Sequence, residues 1–191
     1  MVYDGIIEGI GVNLRPVTED DAEFTYRLRQ DKERTKFLHS VNGTVEDQRN
    51  WIRAQRAKEG DYFFVVEDKN GKPFGTVGYY DLEGVNGETG RVVINGSTAQ
   101  NCDAILQLRR FAFEIIGAEY IKCRTVNGNK TMMAQLKRFG AEQVGTEIDE
   151  KDGFEQLVYR VTREAYEAGK EKYRKLVEKS YQLQEQNDSA E

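Results

Sequence analysis

One stretch limits the fold more than any other. Residues 91–126 run from an apolar segment, "RVVI", through the small polar residues "NGSTAQNCDA", into "ILQLRRFAFEIIG" and out through "EYIKCRTV". Ile105, Leu108, Ala112, Ile115 and Ile116 recur at three- and four-residue spacing, which is one apolar stripe of a helix. Gly117 supplies its stop. A helix from about Asn101 to Ile116, set between two β-rich segments, is long enough to cross over and lay them side by side in parallel. The chain must then build at least part of its core as a sheet covered by a crossover helix.

The other segments add antiparallel partners. "VNLRPV" (Val12 to Val17) reads as a short strand. Thr18 then caps a helix with acids in its first turn, running toward Asp31. "KFLHSVNG" is a loop, and Thr44 with Asp47 three residues on opens a second helix that Gly60 stops. "DYFFVVED" and "PFGTVGYYDL" flank "NGK", where Asn-Gly tolerates the positive φ of a tight hairpin. "TGRVVIN" is the fourth strand and "EYIKCRTV" the fifth. A short helix follows over Asn129–Gly140, then two strands, "AEQVGTEI" and "FEQLVYRVT". The expected domain spans residues 1–162. Residues 163–191 form a charged helix with Tyr166, Tyr173, Leu176 and Val177 on one side and a frayed "EQNDSAE" end. That helix can pack on the domain, pair two subunits as a homodimer or meet another partner, and the sequence leaves the three open.

Composition removes several function classes. The chain of 191 residues carries 28 basic and 33 acidic side chains, a net charge of -5, which argues against a nucleic-acid binder. Cys102 and Cys123 are too few for a disulfide scaffold and read as reduced thiols of a cytoplasmic protein. No apolar run reaches membrane-spanning length and the acidic start is no signal peptide, so no membrane role is expected. There is no Walker loop, dinucleotide fingerprint or zinc-ligand spacing, so no metal is expected.

The order of elements, with "VNLRPVTEDDAEFTYRLRQD", "FGTVGYYDLE", "GRVVING" and "FAFEIIGAEYIKCRTVNGNKTMMAQLKRFGAEQVG", resembles the GNAT superfamily of acyl-CoA-dependent N-acyltransferases. The resemblance covers about Val12 to Val161. It implies an α/β (α+β) fold: a mixed, mostly antiparallel twisted sheet of about seven strands flanked by helices. Its parallel fourth and fifth strands splay apart, and an extra C-terminal helix follows. It also implies acetyl-CoA as co-substrate and a primary amine as acceptor. Several stretches, "RLRQDKERTKFLHS", "TVEDQRNWI" and the Gly-Ser after the fourth strand, resemble the branch that acetylates nucleotide-linked amino sugars. A protein or peptide amine is the rival acceptor, and a non-catalytic binding module the rival class.

The resemblance assigns site residues one by one. The pyrophosphate loop, usually Gln/Arg-x-x-Gly-x-Gly/Ala, falls on "AQNCDA", where Ala99 and Cys102 depart from the pattern and Ala104 meets it. Main-chain N–H groups at a helix start bind phosphate without needing glycine side positions. Val93, Ile94, Asn95, Gly96, Ser97, Ala99, Asn101, Cys102, Asp103 and Ala104 are therefore the expected cofactor contacts, joined by Asn129 for the pantetheine arm. Glu88 is the candidate base, and the N–H groups of Val93 to Asn95 are candidate oxyanion donors, with Asn95 also counted as catalytic. His39, the only histidine, and Tyr79, Tyr80 and Asp81 are the candidate acceptor contacts. Alternation puts Tyr79 and Asp81 on one face and Tyr80 on the other. Leu136 stands where relatives carry a tyrosine acid, so that route of thiolate protonation is not expected.

Overall fold

The computed structural model describes residues 3–39 and 42–188, with the main chain only at 187 and 188. Eight strands form one sheet in the order β1-β2-β3-β4-β5-β6-β8-β7. They are β1 (Ile7–Glu8), β2 (Val12–Pro16), β3 (Tyr62–Asp68), β4 (Pro73–Glu83), β5 (Asn86–Ile94), β6 (Tyr120–Val126), β7 (Glu142–Ile148) and β8 (Glu155–Thr162). Every pairing is antiparallel except β5 with β6. The expected fold is observed, with one strand more: β1 spans two residues, too few to display an alternation.

The helices are α1 (Ala22–Gln30), α2 (Lys32–Thr35), α3 (Val45–Ala57), α4 (Thr98–Arg110), α5 (Lys130–Arg138) and α6 (Arg163–Asp188). Thr44 caps α3 in a full capping box with Asp47. The helix α2 lies between the first expected helix and the loop expected at "KFLHSVNG"; Asp31 caps it by accepting from the N–H groups of Glu33 and Arg34. Ser40 and Val41 of that loop fall outside the described residues. Six residues wound as a π-helix, Phe111–Ile116, prolong α4, and Gly117 ends the run at φ 88°.

Alternation along β3 divides the core. Phe63 and Val65 pack with Val17, Ala22 and Ile52 under α1 and α3. Phe64 and Val66 point the other way, into the larger core with Leu14, Val77, Tyr79, Leu108 and Phe111. The tail helix α6 covers its own chain: Tyr173 and Val177 pack on Cys102, Leu106 and Phe139, and the Tyr166 hydroxyl donates to Glu114 at 2.9 Å. The helix continues through the first residues of the segment expected to fray, and residues 189–191 lie outside the described part. Both cysteines are buried and free. Among the described residues, no helix is long and apolar enough to cross a membrane.

The splay that makes the site has a local cause. Between Thr76↔Val93 and Gly78↔Gly90, β5 holds one residue more than β4. Arg91 absorbs the difference at φ 53°, a β-bulge that bends the strand. The parallel ladder joins only Gly87–Thr89 to Ile121–Cys123, so the strands part beyond Thr89.

Candidate active site

The gap between β5 and β6 opens into a cleft of about 790 Å³. Gly90–Ile94 and Arg124–Val126 form its two strand walls, Asn101, Ile105, Leu108 and Arg109 of α4 and Gln135 and Leu136 of α5 its base, and residues 37–39 and 147–151 its mouth. Of the expected site residues, His39, Tyr80, Asp81, Glu88, Val93, Ile94, Asn101 and Asn129 line it.

The loop after β5 is shorter than the sequence suggests. The helix α4 starts at Thr98, not near Asn101, because Ser97 and Gln100 close a capping box. The Ser97 N–H donates to Gln100 Oε1 at 2.9 Å, and the Gln100 N–H donates to Ser97 Oγ at 3.2 Å. Two of the four orphan N–H groups of the helix start are thereby used, and those of Thr98 and Ala99 have no intrahelical partner. The N–H groups of Asn101, Cys102, Asp103 and Ala104 close helical turns instead of facing a ligand; that of Asn101 donates to Ser97 O at 2.9 Å.

Three of the expected contacts turn away from the cleft. Cys102 is buried against Phe139 and α6. Ala104 is fully buried in the main core. The buried Asp103 carboxylate accepts from Gly11 N–H at 2.7 Å, Gln107 Nε2 at 3.0 Å and Tyr181 hydroxyl at 3.2 Å. These side chains hold α4 to the β1–β2 turn and to α6. The helical period places Asp103 opposite Asn101 and Ile105, with Cys102 and Ala104 on the two flanks.

Asn95 also needs correction as an oxyanion donor. Its N–H donates to Phe74 O at 2.8 Å and its Oδ1 accepts from Arg34 Nη2 at 2.5 Å. Ladder bonds alternate along an antiparallel strand, so the neighbouring Ile94 N–H points away from β4, into the gap. Asn129 caps α5 through an Oδ1 that accepts from the Met132 N–H at 3.2 Å, which leaves its amide donors at the cleft wall.

On the acceptor side, Tyr79 does not reach the cleft. It is fully buried, and its hydroxyl donates to Val85 O at 2.8 Å. Asp81 joins Tyr80 at the cleft rather than following Tyr79, because Asp81 sits at φ 52° where the β4–β5 register slips. Glu88 is ion-paired to Arg124, whose Nε also meets Glu147 at 3.0 Å. The His39 ring lies between two carboxylates of the β7–β8 turn, 3.1 Å from Asp149 and 3.2 Å from Asp152. That strap crosses the mouth. The three groups lie within 4.8 Å of one another, a spacing a cation can bridge.

Sequence reasoning missed the arginines. Arg91 meets Asp61 through two contacts, one of 3.0 Å at Nη2, while its guanidinium lies 4.2 Å from the Tyr80 ring centre. Burial pushes the Tyr80 phenol above its ordinary range, against the pull of Arg91. Arg29 donates to His39 O at 2.6 Å and has no carboxylate partner among the described residues; burial lowers its guanidinium pKa. No spacing rule could reveal these residues, since Arg91 and Asp61 are 30 positions apart.

Leu136 lines the cleft with no hydroxyl to offer. Leu136→Tyr is therefore expected to retain turnover, and the parent's rate–pH profile to lack an essential group titrating near 10, the ordinary value for tyrosine. A profile governed by such a group would show that another tyrosine serves as the acid.

A family profile described as an acetyltransferase (GNAT) domain matches residues 12–142. No curated protein sequence matches the chain. Among solved structures, the chain is similar to apo FdhC, described as a nucleotide-linked sugar GNAT. Identity is 25%, the alignment covers 90% of this chain and 97% of that one, and the TM-score is 0.78. A GCN5-related N-acetyltransferase from Brucella melitensis shares the fold at 17% identity, with 92% and 86% covered and a TM-score of 0.78. So does spermidine N-acetyltransferase from Vibrio cholerae, solved with CoA and spermine, at 15% identity, 82% and 98% covered, and a TM-score of 0.73.

Proposed function

The chain belongs to the GNAT family of acyl-CoA-dependent N-acyltransferases, and on that premise we propose that it moves acetyl from acetyl-CoA to the amine of a nucleotide-linked amino sugar. The observation that carries the acceptor class is Arg29. It is a half-buried cation at the cleft mouth whose hydrogen bond goes to a neutral carbonyl, that of His39. A guanidinium in that position is matched by a diphosphate, which it can grip with paired donors. Arg34 and Lys151 line the same mouth, and Phe37 offers a ring face. The likeness to FdhC, described as a nucleotide-linked sugar GNAT, supports the same reading.

In this reading the CoA diphosphate meets the N–H groups of Thr98 and Ala99 at the start of α4, where helix geometry leaves donors and positive potential. The pantetheine arm follows the gap past Asn129, and the Ile94 N–H receives the developing oxyanion. Glu88 and Tyr80, which line the same cleft, face the incoming amine.

The test compares a nucleoside-diphosphate-linked amino sugar, the free amino sugar, spermidine and a peptide as acceptors. The linked sugar is expected to show the highest kcat/KM. Arg29→Ala is expected to lower kcat/KM for it by roughly 10- to 100-fold, the loss of one hydrogen bond to a charged group, and to leave the free sugar nearly unchanged. Equal losses for both sugars, or preference for the peptide or spermidine, would remove the proposal.

A further inference from the structure

The most unusual charge in the molecule is Arg109. Its side chain is among the largest that are fully buried, with 2% of the residue exposed, yet it lines the base of the cleft. Nη1 donates to Phe139 O, and the guanidinium stands 5.6 Å from the Phe139 ring centre. Nη2 is buried without any hydrogen-bond partner. No carboxylate pairs with Arg109 among the described residues. A buried cation left this way is costly, since neither water nor a counter-ion offsets its desolvation. Arginine cannot relieve the cost by losing its proton.

The nearest candidate counter-ion does not serve. Cys123 neighbours the guanidinium and draws on it weakly as a hydrogen-bond partner, but burial pushes its thiol up, so it stays neutral and supplies no counter-charge. It has a partner of its own in Thr89, whose Oγ1 lies 3.0 Å from its Sγ. Thr89 and Cys123 are also the last paired residues of the parallel ladder, so Arg109 reaches the point where β5 and β6 begin to part. Leu108 and Leu136 line the same cleft base and supply no proton.

We infer that Arg109 is a catalytic residue that holds the departing CoA sulfur as a thiolate, through the free N–H of Nη2. The inference rests on the reading that acetyl-CoA occupies this cleft. The amine lone pair attacks the thioester carbonyl carbon, and the C–S bond then breaks with its electron pair passing to sulfur. The new amide nitrogen releases one proton to water. The thiolate beside Arg109 later takes one proton from water and leaves as the thiol, so no net charge or redox change remains. A permanent cation in a dry site can stabilise that sulfur where no acid is present to protonate it. Leu136 in place of a proton donor and an arginine with an unpaired Nη2 lining the same cleft are then two parts of one arrangement.

The experiment measures protons. A free thiol titrates near 8.5 and is mostly protonated at neutral pH. Calorimetric titration of the full chain with CoA, in two neutral buffers of different ionisation enthalpy, reports protons released on binding. The parent is expected to release on the order of half a proton or more per CoA, and none with desulfo-CoA. Arg109→Met is expected to bind CoA without release and to lose roughly 10²- to 10³-fold in kcat, the usual cost of one preorganised donor. Arg109→Lys, which restores the charge, is expected to recover part of both. Proton release unchanged in Arg109→Met, or CoA binding by the parent without release, would overturn the inference. The parent's comparison of CoA with desulfo-CoA decides the matter even where a variant does not fold. No binding of either ligand would overturn the cofactor reading first, and this inference with it.

Discussion

Thr98→Pro is expected to weaken CoA binding by roughly 10- to 100-fold while the fold survives. Thr98 is the first residue of α4, and helix geometry gives its N–H no partner within the helix. Proline is accepted at that position because the missing N–H is one of the orphans and its φ suits the helix. The residue before a proline must be extended, and Ser97 already is, at φ -65° and ψ 166°. The capping box of Ser97 with Gln100 does not use Thr98 and remains. The substitution thus removes one donor to phosphate, a charge-assisted bond worth about 1.5–3 kcal/mol, and little else. Thr98→Ala keeps the donor and should bind CoA as the parent does. By contrast, Ser97→Ala acts on the helix cap, costing about 1 kcal/mol of stability. Calorimetric affinity with the melting temperature of each variant gives the answer. A proline variant that binds CoA as tightly as the parent would show that the start of α4 is not the phosphate site.

Ala104→Glu is expected to unfold the domain rather than to repel a phosphate. On the loop motif alone, Ala104 matches a position near the diphosphate, and an added acid there would act by charge. In the structure its side chain is fully buried among the main core, with no exposed surface. A glutamate must displace packed atoms, at about 1–3 kcal/mol, and bury a carboxylate without a partner, at several more. Such a sum is comparable to the whole stability of a typical domain, about 5–15 kcal/mol. Chemical denaturation of Ala104→Glu beside Ala104→Ser, which is small enough to fit, measures the cost. A glutamate variant with the parent's stability and no CoA affinity would restore the phosphate reading.

Both predictions turn on where α4 begins and which face it buries, and the two facts were not equally legible. Short-range physics wrote much of the architecture into the chain. Thr44 and Asp47 three residues apart form the capping box that opens α3, and Asn70-Gly71 forms the reversal between β3 and β4, with Gly71 at φ 79°. The stripe of Ile105, Leu108 and Ala112 marks the crossover, and with it the parallel pairing of β5 and β6. The same logic could have found Ser97 with Gln100 as a cap, but the apolar stripe begins later and drew the helix start to Asn101.

The sequence by itself thus determined the order of elements, the crossover and the family. Each depends on residues within about one helical turn or on a period of two or 3.6. Tertiary structure alone decided the rest of the site. Asp81 and Arg91 take positive φ because β4 and β5 must absorb unequal residue counts, which no local pattern encodes. It sent Tyr79 into the core and Asp81 to the cleft. It paired Arg91 with Asp61, set Glu88 against Arg124, and closed His39 onto Asp149 and Asp152. It also put Arg109, one more charged residue on a helix when read in sequence, into a buried position beside the cleft with its Nη2 unpaired. Burial is a property of everything that packs around a residue, and those neighbours come from distant parts of the chain.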